Sequence, residues 1–446
     1  MGGSSWNSPG RRTTHLVAGA VLAQLLLLVG SGSALAAGGD LDPTFSGDGK
    51  VTTPFLADAV IGRAVAIQPD GNIVVVGCSL GSPCNHFGKF RIVRYRPDGS
   101  LDRTFGGHGK VTVRFRGGAA AIAVAVQPDG KLVVAGSAEG GRSYALVRLN
   151  PDGSLDPTFD GDGRVTTGTF DGDSRTTAFA VAVQPDGRII AAGDWVVYPL
   201  HGQSLARYNP DGSLDPSFDG DGKVVTRFGT ASNAVANEIG LLPDGRIVTA
   251  GRADNSRGAQ FALAQYLPDG SLDPSFGGDG KVTAHLGGDS NSIAWDLALQ
   301  PDGRIVAAGQ VLGRTASTGQ FGLVRLESDG SLDSTFGGDG KVRTSFKGST
   351  ANAYGIALQN DGKIVVVGDR ITTEVFGVRF ALTRYRPDGS LDPSFGGDGK
   401  VSTAFGMRPA TASDVAIQPD GRIVAAGDVF PLEGGSVFAV ARYLPA

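Results

Sequence analysis

The chain has 446 residues, of which 41% are hydrophobic and 19% charged, and 40 Lys+Arg against 44 Asp+Glu give a formal net charge of −4. Mild acidity without a cluster of basic residues argues against nucleic acid or an anionic membrane surface as a partner, because both require grouped Lys and Arg. Glycine is frequent, at 70 residues, but it recurs at fixed turn positions, which indicates a folded repeat protein rather than a flexible linker.

The first 36 residues differ in kind from the rest. Arg11 and Arg12 precede an almost wholly apolar run over residues 16–30, and small residues then lead to the sequence ALA at 34–36. This pattern predicts a secretory signal peptide over residues 1–36 with an A-x-A cleavage site. The run is shorter than the roughly 20 apolar residues of a spanning helix, so we expect no transmembrane segment in the mature chain. The general secretory route is expected, and the arginine pair leaves twin-arginine export as an alternative.

Seven near-copies of one unit of roughly 58 residues fill the chain from residue 41 to its end. Each copy opens with a Leu-Asp pair, and the leucines are Leu41, Leu101, Leu155, Leu214, Leu272, Leu332 and Leu391. A catalytic site is normally a single asymmetric constellation. Residues present in every copy are therefore assigned to the architecture rather than to chemistry.

Four short strands are predicted in each copy, and in the first copy they cover residues 50–53, 64–68, 73–77 and 90–95. A Gln-Pro-Asp-Gly sequence between the second and third predicts a tight antiparallel hairpin. The third strand is apolar at successive positions, as in IVVV from residue 73. Both of its faces must then be buried, which a sheet within a stack of sheets provides.

Seven four-stranded units predict an all-β protein, a seven-bladed β-propeller with four antiparallel strands per blade in a closed ring over residues 37–446. The alternative is an open solenoid, whose end units should be atypical caps with a polar outer face. Here the two ends look like interior units: residues 438–446 followed by residues 38–43 restore the LPDGSLDP sequence of residues 267–274, apart from small changes. We therefore expect the ring to close on itself.

Repeated polar residues are interpreted first as structural. The Asp of each Leu-Asp pair is expected to cap a turn and to pair with a neighbouring arginine or lysine, which fixes the register of the blade. A basic residue follows the glycine turn in every copy, and an arginine ends strand four in six copies, Gln265 being the exception. Calcium binding is the alternative at two loops, because closely spaced carboxylates on glycine-rich segments suit a hard cation. The residues concerned are Asp156, Asp160 and Asp162, and Asp215, Asp219 and Asp221. No cofactor is otherwise expected.

The only two cysteines, Cys78 and Cys84, lie in a loop unique to the first copy. In an oxidising compartment we expect them to form a local disulfide, with free thiols as the alternative. A metal site would require four ligands, and only His86 is close in sequence.

No catalytic motif stands out from the repeat. The histidines lie outside any H-E-x-x-H pattern, and neither G-x-S-x-G nor a P-loop is present. Variation is concentrated in the connections between strands three and four, at residues 78–89, 194–203, 252–260 and 369–379. Because variable loops carry function more often than a framework does, Trp195, Tyr198 and His201 are the predicted ligand contacts. The alternative is that this loop folds its own aromatic residues onto the blade edge.

The motifs LDPSFGGDGKV, QPDGRIVAAG and FALTRYRPDGSLD recur in fixed order over residues 41–446. They closely resemble the delta-60 repeat family, bacterial β-propeller repeats of exported and surface proteins. The resemblance implies the propeller and an extracellular or cell-surface setting, and it implies no catalytic residue.

From these observations we expect a secreted, monomeric and non-enzymatic binding or scaffold propeller whose partner is a cell-envelope polysaccharide or a protein. The alternative is an enzyme, a lyase or glycan hydrolase with its site at the channel mouth. A cluster of unrepeated acids and histidines at that mouth would favour the enzyme, and an aromatic-rich, chemically plain face would favour the binder.

Overall fold

A computed structural model describes residues 37–55, 58–79, 88–168, 170, 174–229, 233–255, 258–287, 291–313, 319–373, 377–430 and 435–445. Within these ranges the chain consists of 28 strands and no helix, so no described segment is a helix that could span a membrane. The predicted signal peptide and Cys84 fall outside these ranges, and both remain predictions.

The strands form seven separate four-stranded antiparallel sheets, the blades of a propeller, which confirms the predicted fold class. The first strand is β1 (Lys50–Thr53), and blades 1 to 3 contain β2 (Val60–Ile67), β3 (Ile73–Ser79), β4 (Phe90–Tyr95), β5 (Lys110–Val113), β6 (Ala119–Val126), β7 (Leu132–Ala138), β8 (Ser143–Leu149), β9 (Arg164–Thr167), β10 (Arg175–Val183), β11 (Ile189–Val197), β12 (Leu200–Tyr208) and β13 (Lys223–Thr226). Blades 4 to 7 contain β14 (Ala234–Leu241), β15 (Ile247–Asn255), β16 (Gly258–Tyr266), β17 (Lys281–Ala284), β18 (Asn291–Leu299), β19 (Ile305–Leu312), β20 (Gln320–Leu326), β21 (Lys341–Thr344), β22 (Thr350–Leu358), β23 (Ile364–Ile371), β24 (Val378–Tyr385), β25 (Lys400–Thr403), β26 (Ala410–Ile417), β27 (Ile423–Val429) and β28 (Val437–Tyr443).

Sequence repeats and blades are offset by one strand. The strand that opens each repeat is hydrogen-bonded as the outer strand of the preceding blade, so blade 1 is β2-β3-β4-β5. The same offset closes the ring: β1 pairs antiparallel with β28, from Lys50 opposite Ala441 to Thr53 opposite Phe438. The last blade therefore takes three strands from the end of the chain and its outer strand from the start, and the predicted ring closure is confirmed.

Seven apolar cores hold the ring together, and each lies between two consecutive blades. The second strand of every blade, such as β3, begins with a run buried on both faces, as the unbroken apolar sequence predicted. The core between the last blade and the first joins residues such as Val424 and Phe438 to Val60 and Val75. Burial at this seam matches that at the other six, which is the expected arrangement for a closed ring.

Each inner strand, the first of its blade, contains a β-bulge at the same position. In β18 the pairing register skips Trp295, between Ala294 and Asp296. The bulge brings the carbonyl oxygen of Ile293 against Gly309 of the second strand, where a Cβ atom would lie 1.9 Å from that oxygen. The same contact, at 1.8–1.9 Å, recurs at the equivalent glycine of all seven blades. The glycine that ends each VVVG or AAG motif is therefore required because no side chain fits there.

The repeated Asp and Arg residues form a clamp between neighbouring blades. In blade 6, Arg384 donates from Nε to Asp392 Oδ2 at 2.9 Å, and its Nη1 donates to the carbonyl oxygen of Pro445 in blade 7. Asp392 Oδ1 also accepts the Ser394 backbone N–H, which caps the turn. The guanidinium group stacks on Phe395, 4.7 Å from the ring centroid. This confirms the structural interpretation of the repeated polar residues.

Blade 4 has Gln265 in place of the clamp arginine. Its Nε2 keeps the hydrogen bond to the repeated Asp, donating to Asp273 Oδ2 at 2.8 Å. Arg246 supplies positive charge to the same carboxylate at 3.3 Å. The proline whose carbonyl accepts the arginine in other blades is also replaced here, by Ser328. The donor side chain and the residue that would supply its acceptor carbonyl are therefore both replaced in this contact between blades.

Candidate functional site

A cavity of about 880 Å³ occupies the centre of the ring. It is lined by the first halves of the inner strands and by the ends of the second strands, such as Cys78 and Ser137. These strand ends lie on the face where the variable connections between second and third strands start, which we call the loop face. The opposite face carries the Pro-Asp-Gly hairpin turns and the arginine clamps. The predicted variable connections and the cavity therefore share one face of the propeller.

The bulges line the cavity, and there the blades differ from one another. The skipped residue of each bulge is a different amino acid in every blade, namely Arg63, Ile122, Phe179, Asn237, Trp295, Tyr354 and Ser413. The residue that follows is acidic in three blades, as Glu238, Asp296 and Asp414, and Ala or Gly in the other four. The repeat thus keeps the bulge and varies the side chains that it presents to the channel.

The two channel aspartates link neighbouring inner strands. Asp296 accepts the backbone N–H of Leu297 in its own blade at 2.6 Å and that of Ile356 in the next blade at 2.7 Å. Asp414 likewise accepts Val415 N–H at 2.6 Å and, across the closing seam of the ring, Val65 N–H at 2.8 Å. Each carboxylate thus joins the backbone of its own inner strand to the equivalent position of the inner strand in the next blade. Their first role is therefore to stabilise the channel wall.

Glu238 is placed differently. Its Oε1 accepts the Ile239 N–H at 3.0 Å, while Oε2 receives no hydrogen bond from any residue that the structure describes. The side chain is half-buried and lines the cavity. Beside it, Asn237 donates from Nδ2 to the Ala294 carbonyl oxygen at 2.7 Å, which directs this amide by a contact to the next blade.

Burial raises the pKa values of the channel carboxyls, because removal from bulk water disfavours the charged form. Burial raises the pKa of Asp414 to about 7 and that of Glu238 to about 8, and Asp414 adds like-charge repulsion at Glu238. Burial and repulsion from both of these carboxylates also raise the pKa of Asp296. Each side chain keeps some contact with water through the channel, yet all three lie deep in the ring. The cavity therefore holds carboxyls that exchange protons near neutral pH.

Aromatic side chains complete the wall. Trp295 and Tyr354, in adjacent blades, pack edge to face with ring centroids 6.0 Å apart. Phe179 lies on the wall in blade 3, and Phe430 lies at the loop face with 43% of its surface exposed. Apolar ring faces and carboxylates are thus presented to the same space.

The structure separates the three residues predicted as ligand contacts. Trp195 is only 2% exposed and packs beside Arg227, whose guanidinium carbon lies 5.0 Å from its ring centroid. Tyr198 is 92% exposed at the tip of the β11–β12 hairpin, and His201 is half-buried on β12. None of the three lines the cavity; their neighbour Asp194 does. Burial raises the pKa of Asp194 to about 6, although the Thr177 N–H that it accepts at 2.7 Å favours the charged form.

The acidic loops considered for calcium lie on the face of the hairpin turns. Asp156 directs Oδ2 to Arg148 Nε at 2.6 Å and Oδ1 to Thr158, and Asp162 accepts the Arg164 N–H. Asp215 likewise bonds an arginine and a serine of its own blade, and Asp221 accepts the backbone N–H of Lys223. Asp160 and Asp219 each have a positive φ of 52°. Over the described ranges, no three His, Cys, Asp or Glu side chains are grouped as metal ligands. Cys78 lines the channel, and its predicted partner lies outside those ranges.

Sequence interpretation missed the residues that converge in the channel, although a signal for them exists. The seven copies can be aligned on the glutamine of Gln-Pro-Asp-Gly or its equivalent. The residues five and four positions before it then differ in size and charge from copy to copy, whereas the residues directly before and after this pair stay small or aliphatic. In blade 5 this pair is Trp295-Asp296 and in blade 1 it is Arg63-Ala64. Variation inside a strand marks these channel residues in the sequence.

Comparison with known proteins identifies one family. Seven segments, which together exceed half of the chain, match the family described as "Domain of unknown function (DUF5122) beta-propeller"; they are residues 68–105, 127–159, 184–218, 242–276, 300–336, 359–395 and 418–446. The resemblance noted from sequence is confirmed at the level of a β-propeller repeat family. No curated protein matches the chain.

Among solved structures, the chain is similar to a catalytically inactive virginiamycin B lyase from Staphylococcus aureus with quinupristin. That likeness has a TM-score of 0.50 and 9% identity, and it covers 88% of this chain and 98% of the lyase. The polysaccharide lyase Uly1 has a TM-score of 0.50 at 12% identity, with 88% and 91% of the two chains covered. At these identities the likeness shows the shared fold.

Proposed function

This chain belongs to the DUF5122 β-propeller family, and we propose that it is a secreted or cell-surface binding protein that takes a saccharide unit of a cell-envelope polysaccharide into its central channel. The proposal includes export, which depends on the signal sequence predicted in residues 1–36. We also propose that the protein is a monomer and has no enzymatic activity. A protein partner at the loop face is compatible with the same surface.

One observation carries the proposal: the repeats diverge from one another where their side chains meet in the channel. A purely structural channel of seven near-identical blades would need only one kind of residue at each bulge. Instead the wall combines Arg63, Trp295, Tyr354 and several acids around one cavity. Its volume, about 880 Å³, lies within the roughly 300–1,000 Å³ of small-molecule sites.

The chemistry of the wall supports a saccharide. The face of a sugar ring is apolar and packs on aromatic side chains such as Trp295 and Tyr354, while its hydroxyl groups donate to carboxylates. Glu238 offers an acceptor oxygen that no described residue uses. A polyanionic glycan fits less well, because the acids on the wall outnumber Arg63 and Arg175.

Thermal unfolding of residues 37–446 with a panel of cell-envelope glycans tests the proposal. A ligand at 100 times its Kd stabilises the folded state by about 2.7 kcal/mol. We expect Trp295→Ala to abolish the shift and Tyr198→Ala, on the exposed hairpin, to leave it unchanged. The opposite pattern would move the site to the hairpin, and no shift with any glycan would refute a saccharide-binding channel.

An enzymatic role is the second candidate, because Glu238 and Asp414 exchange protons near the pH at which general acids and bases are most effective. A lyase or glycan hydrolase would use such groups at the channel mouth. Two proteins of this fold bear the name lyase. The described part of the cavity wall contains acids but no histidine. New reducing ends or unsaturated products, formed from a bound glycan and lost in Glu238→Gln, would establish the enzyme.

A further inference from the structure

We propose that the channel recognises a protonated amino group, so that the saccharide it takes is an amino sugar with a free amine. This inference rests on the proposed function and narrows its ligand class. It depends on three features of one part of the wall: unused hydrogen-bond acceptors, a group of carboxyls without a paired cation, and an aromatic pair in adjacent blades.

The unused acceptors lie next to each other on β14. Glu238 Oε2 receives no hydrogen bond within the described structure, and the same holds for Asn237 Oδ1, although Asn237 is only 8% exposed. Both side chains line the cavity. An ammonium group carries three donors and no acceptor. It therefore satisfies neighbouring acceptors that a second acceptor-rich group would leave unpaired.

The carboxyl groups near these acceptors have no buried counter-ion on the wall. Glu238, Asp296 and Asp414 repel one another when ionised and are not paired with an arginine or lysine in any described ion pair. Arg63 and Arg175 line the cavity but are exposed, so their charges are solvated. A cation placed among the carboxylates would favour their ionised form and relieve their repulsion.

The aromatic pair adds a surface for the cation and for the sugar ring that carries it. Trp295 follows Glu238 by one blade, and its ring packs edge to face against Tyr354 of the next blade. Aromatic faces attract ammonium groups through the ring quadrupole. Carboxylate and ring faces thus occur on adjacent strands, within one cavity.

Isothermal titration calorimetry with matched trisaccharides tests the amine directly at pH 7. Chitotriose has three glucosamine units, and cellotriose has the same linkage with hydroxyl groups in place of the amines. We expect chitotriose to bind the unmodified protein at least tenfold more tightly, and the difference to shrink as NaCl is raised. Triacetylchitotriose, in which the amines are blocked, should bind no better than cellotriose.

Variants then locate the recognition. Glu238→Gln keeps the size and one acceptor of the side chain, and it should weaken chitotriose binding far more than cellotriose binding, so that most of the preference for chitotriose is lost. Asp279→Asn is the matched control, because it removes one exposed negative charge on the face of the hairpin turns and retains an acceptor for the Lys281 N–H. Circular dichroism and the midpoint of thermal unfolding establish that both variants fold.

The outcomes separate the two proposals. If cellotriose binds as tightly as chitotriose, or if Asp279→Asn weakens chitotriose as much as Glu238→Gln does, amine recognition in the channel is refuted while saccharide binding stands. If neither trisaccharide binds and no envelope glycan shifts the unfolding midpoint, both proposals fail. The comparison of trisaccharides uses the unmodified protein, so it decides the matter even if a variant does not fold.

Discussion

Replacement of Arg384 should destabilise the ring far more than replacement of an exposed arginine. Arg384 is fully buried, donates to Asp392 and Ser394 at 2.9 Å each, and bonds a carbonyl oxygen of the next blade. Removal of one partner from a buried ion pair typically costs 3–5 kcal/mol, because the remaining charge is left buried. We therefore expect Arg384→Leu to lower the free energy of unfolding by about 3–5 kcal/mol.

Arg384→Gln should cost less, about 1–3 kcal/mol, because the amide still donates a hydrogen bond to Asp392. A cost remains because a neutral donor leaves part of the buried charge uncompensated. The protein already contains this arrangement in blade 4, where Gln265 bonds Asp273. Arg164→Gln is the matched control, because Arg164 pairs with Asp162 at 3.6 Å and the side chains are 38% and 61% exposed. Such surface pairs contribute about 0–1 kcal/mol.

Urea unfolding, followed by tryptophan fluorescence and by far-ultraviolet circular dichroism, measures these differences, and coincidence of the two probes checks that a single free energy applies. A double-mutant cycle with Asp392→Asn isolates the Arg384–Asp392 term. A cost for Arg384→Gln equal to that of Arg164→Gln would refute the idea that the clamp stabilises the contact between blades.

Three further outcomes are expected. Glu238 and Asp414 keep protons that the unfolded chain releases near pH 4, so the free energy of unfolding should fall as the pH rises from 5 to 9. The fall should reach up to about 1.4 kcal/mol per pH unit for each proton. Urea titrations at several pH values measure this slope, and Glu238→Gln should make it less steep. Gly309→Ala would place Cβ 1.9 Å from the Ile293 carbonyl oxygen, so the free energy of unfolding in urea should fall by about 2 kcal/mol or more. Glycan binding should also weaken, because the bulge that presents the channel residues must shift. Deletion of residues 37–53 removes β1 and exposes an edge of β28, so light scattering should show self-association; a monomer of unchanged unfolding midpoint would contradict the closure mechanism.

The sequence by itself determined the architecture. Each copy carries its own turns and apolar runs, and seven copies of a unit that must bury both faces of a sheet leave a ring as the solution. The pairing of the repeated Asp with a neighbouring basic residue was also predictable, because the Asp of Leu-Asp recurs with arginine and lysine in the copies. Repetition reports what the blades share, and these features are shared.

Only the tertiary structure decided which strand is innermost and what the channel contains. The bulge at Trp295 is a matter of pairing register, and the glycine that accommodates it looks in sequence like any other turn glycine. Asp414 bonds Val65 across 349 positions, a proximity that exists only after the ring closes. The candidate site is formed by residues about one repeat apart that each differ from their counterparts, so in the sequence it is visible only as variation between repeats and not as a local motif. Trp195, selected because it lies in a variable loop, packs away from the cavity, whereas Asp194 faces it. Alternation along a strand sends neighbouring side chains to opposite faces, and only the pairing register shows which one meets the channel.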